Sequence, residues 1–468
     1  MTLPRIGFVL GLASFLLTLI VPAPGGMSQE AWSTAGLVWW MASWWMTEAL
    51  PLYATALLPF IVLPMIGVAD ADATASSYYS PVIFLFIGGA FLALAIERTG
   101  LHRRLALAIL GRAGDTPWRL LLAVMAATAL LSTINSNTST ALIMMPMALA
   151  MFAAGGVKPE DTDGIAGALP MGISFAASIG GLGTLVGSPT NAISAGLIEK
   201  TLGVRITFAE WTLYGMPLVI LAIPLAAFII ARVHRLHEDR FDPAAARAAI
   251  AGETAWTEPE RRLVPVVALA LLTWISLPLI EPLFPEGAIT DGTIAAVFGL
   301  ALFLIPDGTG RPMLVWKEAN RAPWDVVLMY GGGLSLAMGM TQSGLAGWMG
   351  EKMLPLAAVP LPIVALVLVG VLIVITEFAS NVATASAIMP VIAALVAALG
   401  ADPILLALPA AMAASWGFML PSGSAPNAIA WGTGHIALPR VLKAGFLLDI
   451  AGVFLIVGVI WGVAALAH

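Results

Sequence analysis

The sequence contains no cysteine and few charged residues: 10% of its 468 residues are charged, against roughly 25% in soluble domains. The absence of cysteine excludes disulfides, thiolate metal sites and a cysteine nucleophile. The histidines are scattered, and only His234 and His237 lie close together, in a charged segment that we predict to be solvated surface. No grouping of His, Cys and Asp in apolar sequence offers the clustered groups of a membrane enzyme, so we predict that the protein is not an enzyme.

Apolar residues make up 60% of the chain, which predicts an all-α polytopic membrane protein. The first apolar run, Ile6 to Val21, follows a single Arg5 and favours a first membrane helix over a cleaved signal peptide. Two stretches, 118–155 and 356–399, are each long enough for two short helices. Elsewhere, apolar windows of about 20 residues predict about eleven transmembrane helices, at 6–22, 31–48, 51–68, 80–97, 162–198, 207–231, 263–282, 289–306, 324–342, 403–435 and 441–467.

A Ser-Asn pair lies at the midpoint of each of the two long stretches, as SNT from Ser136 and as SNV from Ser380, 244 residues apart. Small polar residues also occur where membrane helices pack together. Each of the two stretches could therefore instead form full membrane spans. The polar centres favour two re-entrant helical hairpins, because non-helical backbone at membrane depth is tolerated only where protein encloses it.

The sequence around the hairpins is repeated. GGAFLALAIERTGL from Gly88 matches GGLSLAMGMTQSGL from Gly332, again 244 residues apart. A glycine-rich break follows each hairpin, GSPTN from Gly187 and GSAPN from Gly423, at a spacing of 236 residues. Paired hairpins that are each followed by such a break are difficult to attribute to helix packing, and they predict a binding site built from two related halves.

The distribution of Lys and Arg predicts the orientation of these halves. With the N-terminus in the cytoplasm and both hairpins re-entrant, all but Lys200, Arg205 and Lys352 of the 21 Lys and Arg residues face the cytoplasm. The C-terminus is then external, and the two copies enter the membrane from opposite sides. An inverted-topology repeat of this kind is typical of transporters, with the site at the repeat interface, and it fits alternating access better than an open channel.

The two hairpin turns and the two glycine-rich breaks, together four interruptions of helical backbone, suggest which ions could bind. A broken helix exposes unpaired N–H groups at one new end, which suit a carboxylate, and unpaired carbonyls at the other. Those carbonyls, with hydroxyl and amide oxygens, suit an alkali cation. No Lys or Arg lies near the interruptions, so dipoles, neutral donors and a co-bound cation must hold an anion. We interpret Glu377 as a structural hydrogen-bonding residue, and Glu48 as a helix-end or interface residue.

With these motifs in this order, the chain resembles the divalent anion/sodium symporter family, the INDY-like dicarboxylate transporters. The resemblance covers almost the whole chain. It rests on the two Ser-Asn hairpins and on five further motifs, WWMTEALPLYATALLP from Trp44, PVIFLFIGGAFLALAIERTGLHRR from Pro81, GGLGTLVGSPTNAI from Gly180, PWDVVLMYGGG from Pro323 and GFMLPSGSAPNAI from Gly417.

The resemblance implies a homodimer in which each protomer has a fixed scaffold domain and a transport domain that moves like an elevator. Scaffold helices would occupy 1–115 and 263–350, with a cytoplasmic loop at 232–262. The first transport elements, in 116–231, would be the hairpin 118–155, the broken helix 162–198 and the helix 207–231. The second, in 351–468, would be the hairpin 356–399, the broken helix 403–435 and the helix 441–467.

The resemblance also implies the site residues, several sodium ions per cycle and a C4-dicarboxylate, citrate or sulfate as substrate. The first sodium site would use Ser132, Ser136, Asn137 and Gly187, and the second would use Thr376, Ala379, Asn381 and Gly423. The substrate would contact Asn137, Thr138, Ser188, Pro189, Asn381, Val382, Ser424 and Ala425.

The chain departs from the family pattern at three positions. Val382 replaces a Thr, Ala425 stands where a Pro is usual, and Thr190 replaces the second Pro of the first break. Loss of the hydroxyl at Val382 removes a donor from the expected carboxylate site, and such a loss shifts selectivity when the substrate group is left unpaired.

From these observations we predict a secondary active transporter of succinate, malate or fumarate, coupled to co-transported sodium ions and without a prosthetic group. We expect it in the lipid bilayer of a bacterial inner membrane, as a homodimer that does not bind nucleic acid. The alternatives are a sodium-independent dicarboxylate exchanger and a symporter of sulfate or another oxyanion.

Overall fold

The computed structural model describes residues 2–467 except 113, 115, 159, 237–240, 243, 246, 247 and 249–254. The described residues form helices and connecting turns with no β-strand, which confirms the predicted all-α class. The α-helices are Leu3–Ile20, Gln29–Thr47, Leu52–Thr55, Leu58–Met65, Ala71–Ser76, Pro81–Thr99, Leu101–Leu110, Pro117–Ser132, Asn137–Gly155, Gly164–Gly181, Pro189–Leu202, Phe208–Val233, Glu258–Ile275, Leu277–Ile280, Asp291–Leu304, Trp316–Ala319, Asp325–Gln342, Leu345–Met353, Leu361–Phe378, Asn381–Leu399, Pro403–Ala413, Ala425–Gly432 and Leu438–Ala467; 3₁₀ turns cover Glu281–Leu283 and Leu354–Ala358.

The two Ser-Asn stretches each fold into a helix–turn–helix pair. We call Pro117–Ser132 with Asn137–Gly155 the first hairpin, and Leu361–Phe378 with Asn381–Leu399 the second. The turn falls at the Ser-Asn pair because serine is a strong helix N-cap. Ser136 accepts a hydrogen bond from the Ser139 backbone, and Ser380 accepts one from the Ala383 backbone. Whether the hairpins re-enter the membrane stays a prediction.

The glycine-rich breaks divide two further helices, as the sequence predicts. The first broken helix consists of Gly164–Gly181 and Pro189–Leu202, and the second of Pro403–Ala413 and Ala425–Gly432. Gly164–Gly181 is almost entirely enclosed by protein, with 94% of its residues buried. This helix therefore forms the centre of the molecule rather than a lipid-facing surface.

In each half of the repeat, the second segment of the broken helix packs against the hairpin of the other half. The second segment of the first broken helix, Pro189–Leu202, packs against the second arm of the second hairpin, Asn381–Leu399. In the same way, Ala425–Gly432 of the second broken helix packs against Asn137–Gly155 of the first hairpin. This interlocked arrangement brings both hairpin turns and both helix breaks to one place in the fold.

The repeated GG motifs lie in helices that pack beside this centre. Pro81–Thr99 packs closely against Asp291–Leu304, and a Cβ added at Gly88 would lie 2.3 Å from the Ala295 carbonyl oxygen. Small residues permit such close approach of membrane helices. In the other copy, a Cβ added at Gly332 would lie 2.6 Å from the carbonyl oxygen of Ala56, at the end of helix Leu52–Thr55, so each GG motif marks a close backbone contact.

The segment that follows Leu304 is tied to helix Pro81–Thr99 by ionic contacts. Arg98 binds Asp307 and donates to the carbonyls of Pro312 and Met313. Burial alone raises the pKa of Asp307, but hydrogen bonds from the Thr309 backbone and from Arg98 outweigh burial and lower that pKa to about 2. The loop is thereby held in a fixed position beside the helix.

Eight described helices are long and apolar enough to cross a membrane, or nine if Glu258–Ile275 and Leu277–Leu283 form one bent span. These include Leu3–Ile20 and hairpin arms, so the predicted number of about eleven spans plus two hairpins stays a prediction. Leu16, Leu17 and Ile20 of the first helix are exposed, as lipid-facing side chains are. Several spans together confirm an integral membrane protein.

The structure confirms the prediction for Glu48 and contradicts the one for His234. Glu48 ends helix Gln29–Thr47 in a left-handed conformation, with φ of 49°, which confirms its assignment to a helix end. The prediction of a solvated His234 is wrong, because the side chain is 1% exposed and fits against Gly167. A Cβ at Gly167 would lie 2.4 Å from His234 Cε1. His237 lies outside the described residues.

Candidate functional site

One cavity lies between the two hairpin turns and the two helix breaks. Its volume is about 400 Å³, which is within the range of roughly 300–1,000 Å³ found for small-molecule sites. All eight residues predicted to contact substrate line this cavity, namely Asn137, Thr138, Ser188, Pro189, Asn381, Val382, Ser424 and Ala425. The structure therefore brings together the residues that the family resemblance implied, while their contacts with a substrate remain a prediction.

Four helices begin at this cavity, and each begins with a serine N-cap. Ser136 and Ser380 cap the second arms of the hairpins, and Ser188 and Ser424 cap the second segments of the broken helices. All four serines line the cavity. The first N–H groups of a helix have no intrahelical acceptor, and the helix N-terminus carries about half a positive charge. The cavity is therefore suited to an anion without a lysine or arginine between the turns.

An oxygen cluster lies behind the first hairpin turn. The Ser132 hydroxyl lies 2.9 Å from Asn137 Oδ1 and 2.6 Å from the Ala177 carbonyl oxygen, and its single proton is shared between these two acceptors. Two glycines keep the cluster open. A Cβ added at Gly181 would lie 2.1 Å from Asn137 Oδ1, and one at Gly187 would lie 3.0 Å from the Ser132 carbonyl oxygen. Hydroxyl, amide and carbonyl oxygens thus meet within a few ångströms.

The second hairpin repeats this cluster. The Thr376 hydroxyl lies 3.0 Å from Asn381 Oδ1 and 2.7 Å from the Ala414 carbonyl oxygen, and it too shares one proton between two acceptors. Near it, a Cβ added at Gly423 would lie 3.3 Å from the Glu377 carbonyl oxygen. The same three kinds of oxygen occur in both halves. The 244-residue repeat relates the hydroxyl and amide residues, whereas the carbonyl residues Ala177 and Ala414 lie 237 residues apart.

These oxygen sets fit a sodium ion, because Na⁺ prefers hard oxygen ligands and because rotation of the Ser132 or Thr376 hydroxyl would free the amide oxygen. Two of the predicted sodium ligands, Ser136 and Ala379, offer no free side-chain oxygen to these sets. The Ser136 hydroxyl is engaged as a helix cap and donates to Ser139. Ala379 ends helix Leu361–Phe378 in an extended conformation and offers only backbone atoms.

Two asparagines that the prediction left without a role hold the helix breaks in shape. The Asn191 amide donates to the carbonyls of Gly181 and Thr184, over 2.7 and 2.8 Å. The Asn427 amide makes the equivalent bonds to Gly417 and Leu420, over 3.4 and 3.1 Å. Each asparagine spans its own break, so the Asn of both GSxxN motifs is a structural link beside the cavity.

Each hairpin turn is also joined to its helix break, by different chemistry in the two halves. In the first half, the Thr184 hydroxyl donates to the Thr133 carbonyl. In the second half, the Glu377 carboxylate accepts the backbone N–H groups of Met419 and Leu420, both over 2.9 Å. Glu377 is 3% exposed. The interpretation of Glu377 as a structural hydrogen-bonding residue is thus confirmed, and Thr184 explains why the first half needs no acid.

No Lys or Arg lies near the interruptions in the sequence, but one arginine lines the cavity from elsewhere in the chain. Arg321 lines the same cavity, and its guanidinium donates to Glu97 Oε1 over 2.7 Å. Asp325 also lines the cavity. Arg321 is far from both Ser-Asn pairs in the sequence, and the packing of Asp325–Gln342 brings it there. Among the described residues, it is the one basic side chain on the cavity wall.

The three departures from the family pattern lie at or beside the cavity. Val382 and Thr138 follow the two asparagines at equivalent positions, and both line it. Ala425 and Thr190 line it too, although Thr190 is 1% exposed. The difference between Thr138 and Val382 therefore makes one side of the cavity poorer in hydrogen-bonding groups.

Solved structures show the same fold. The YdaH transporter of Alcanivorax borkumensis aligns with a TM-score of 0.57 at 15% identity, over 85% of this chain and 89% of that chain. Neisseria gonorrhoeae MtrF aligns with a TM-score of 0.58 at 12% identity, over 98% of this chain and 94% of that chain. At such low identity the likeness concerns architecture alone.

Sequence relatives are more similar. The sodium-dependent dicarboxylate transporters SdcS of Staphylococcus saprophyticus and of Staphylococcus aureus USA300 are each 36% identical over 469 residues, which is 97% of this chain and 90% of the relative. The family described as sodium:sulfate symporter transmembrane region matches residues 5–466. These relatives are transporters rather than enzymes. The resemblance seen in the motifs is thus confirmed, and the chain belongs to the sodium:sulfate symporter transmembrane family.

Proposed function

We propose that this protein is a secondary active transporter that carries a C4-dicarboxylate such as succinate, malate or fumarate together with sodium ions. The observation that supports this most strongly is the meeting of four helix N-termini at one cavity, with their caps Ser136, Ser188, Ser380 and Ser424 on its wall. Two pairs of N-termini suit a dianion with a carboxylate at each end. The relatives named as dicarboxylate transporters support the same substrate class.

Sodium coupling is supported by the two oxygen clusters. Asn137 and Asn381 each belong to an oxygen cluster through their side chain and to the cavity wall through their position at a helix N-terminus. A cation bound to either cluster would place positive charge directly behind the anion. Sodium would thus strengthen anion binding and be carried with it.

Alternating access is proposed to be of the elevator type. The hairpins and broken helices would move as the transport domain against a scaffold that includes Pro81–Thr99 and Asp325–Gln342. With the N-terminus cytoplasmic, Arg321 would lie on the cytoplasmic side of the cavity. A homodimer in a bacterial inner membrane, with the C-terminus external, completes the proposal.

The test is uptake of labelled succinate into proteoliposomes that contain the purified protein. We expect saturable uptake that requires an inward sodium gradient and that malate and fumarate inhibit. Uptake that is unaffected by removal of sodium but requires internal dicarboxylate would overturn symport and support an exchanger.

A second candidate substrate is sulfate or another oxyanion. It is favoured by Val382, which withholds a hydroxyl from one side of the cavity, and by the family description. Competition of sulfate against labelled succinate separates the two. Strong inhibition by sulfate together with weak inhibition by malate would support the oxyanion.

A further inference from the structure

An ion pair lies on the wall of the substrate cavity, apart from the four helix N-termini. Arg321 Nη2 and Glu97 Oε1 are 2.7 Å apart, and both residues line the cavity. Arg321 lies just before helix Asp325–Gln342, and Glu97 lies near the end of helix Pro81–Thr99. Arg321 and Glu97 thus add a pair of opposite charges to a cavity whose two hairpin turns are uncharged.

Arg321 is held more loosely than Arg98, another arginine in this region. Its side chain is 62% exposed, whereas that of Arg98 is 20% exposed and is fixed by Asp307 and by two backbone carbonyls. Exposed ion pairs contribute little to stability. A second carboxylate could therefore replace Glu97 at Arg321 with little loss, because one carboxylate contact is exchanged for another.

The pair occurs in only one half of the repeat. The 244-residue spacing relates Glu97 to Thr341 and Arg321 to Ser77, neither of which is charged. If the halves exchange roles during transport, an arginine would face the cavity on one side of the membrane alone. This asymmetry indicates a role in one of the two access states rather than in the common binding site.

We propose that Arg321 is a carboxylate-receiving site at the mouth of the cavity, where a substrate carboxylate displaces Glu97 as the anion enters or leaves. The guanidinium fork suits a carboxylate geometrically. The displaced Glu97, with the nearby Asp325, adds negative charge that opposes long residence of the anion, so the contact is transient. The inference rests on the proposed function and adds to it a second, one-sided anion contact.

Two variants should change apparent affinity in opposite directions. Arg321→Gln should raise the half-saturating concentration of succinate on the face that carries the 306–323 loop, roughly two- to fivefold for one exposed charged contact. Glu97→Gln should lower this half-saturating concentration, because it removes the carboxylate that competes with the substrate for Arg321. If the pair only supports the fold, both variants should shift affinity or stability in the same direction, and that result would overturn the inference.

A matched control is Arg262→Gln. Arg262 pairs with Glu258 over 2.8 Å, is 43% exposed and does not line the cavity. It should leave succinate affinity unchanged. Measurements on membrane vesicles of both orientations should show the Arg321 effect with succinate presented on one face only. An equal effect from both faces would contradict a one-sided contact.

The absence of native cysteine permits a direct test of charge. Arg321→Cys should lose affinity and regain it when aminoethyl methanethiosulfonate adds a positive group, but not when methyl methanethiosulfonate adds a neutral one. Equal recovery with both reagents would overturn a charge role. A wild-type protein with no saturable succinate response would overturn the proposed function itself, whereas a normal wild-type response that is unchanged in both charge variants would overturn this inference alone.

Discussion

The Ser132 hydroxyl donates a hydrogen bond to the Asn137 amide oxygen across the first hairpin turn, over 2.9 Å. Thr376 and Asn381 repeat this relationship over 3.0 Å in the second hairpin. In each pair the asparagine begins a helix that faces the cavity. The asparagine thus links a hydroxyl on the far side of the turn to the cavity that we propose as the anion site. Substitution of these residues can therefore test the coupling between cation and anion.

Removal of the Ser132 hydroxyl should weaken sodium coupling. We expect Ser132→Ala to raise the sodium concentration needed for half-maximal succinate uptake by about tenfold, because one ligand oxygen is lost and the Asn137 amide loses its partner. Sodium titration of uptake measures this. Thr376→Ser keeps its hydroxyl and is the matched control, which should remain within about twofold of wild type. Equal sodium dependence in Ser132→Ala and wild type would contradict the first candidate sodium site.

Addition of a hydroxyl at Val382 should alter anion selectivity. Val382→Thr supplies a donor on the poorer side of the cavity, and we expect the order of inhibition by succinate, citrate and sulfate to change, with affinity for at least one anion shifted roughly three- to tenfold. Thr138→Val removes the equivalent hydroxyl and should weaken binding. Identical inhibition constants in all three proteins would show that neither side chain contacts the substrate.

Loss of the Asn191 amide should destabilise the first helix break. Asn191→Ala leaves the carbonyls of Gly181 and Thr184 without their donor in a fully buried site, at a cost of about 1–3 kcal/mol for each unsatisfied group. The unfolding temperature of the purified protein should fall by several degrees. Thr201→Ala, on the same helix but beyond the break, is the control. An unchanged unfolding temperature in Asn191→Ala would contradict a structural role.

The turns and breaks could be located from the sequence because they are made by local chemistry. Serine before asparagine starts a helix wherever the chain must turn, and GSPTN and GSAPN interrupt an apolar run with small and polar residues. Each signal occurs twice, so one copy supports the other. This is why the turns and breaks could be predicted to form one site, although they lie in different parts of the sequence, whereas the eight individual cavity residues came from the family resemblance.

The charged part of the cavity could not be found in this way. Arg321 reaches it through the packing of distant helices, and the local sequence around Arg321 does not reveal that contact. The partners of Glu377 are backbone N–H groups, which leave no trace in residue types. His234 is buried because Gly167 leaves room for it, and glycine in an apolar run does not indicate which side chain it accommodates.

The buried carboxylate of Asp307 should make the adjacent loop sensitive to acid. Its pKa is lowered from 3.8 to about 2, so its stabilising effect is complete above the unfolded value and is lost as the pH falls through the folded one. Asp307→Asn should therefore lower the unfolding temperature at pH 7. The difference from wild type should shrink between about pH 4 and pH 2. A difference that stays constant over this range would contradict the ionic anchor.

Direct binding of succinate to the purified protein, measured calorimetrically in sodium and in potassium buffers, tests the central claim that two sodium-bearing oxygen clusters and four helix N-termini form one anion site. We predict saturable binding in sodium, no measurable binding in potassium, and loss of binding in both Asn137→Ala and Asn381→Ala with the fold retained. Equal binding in the two buffers, or wild-type affinity in either folded asparagine variant, would contradict the account.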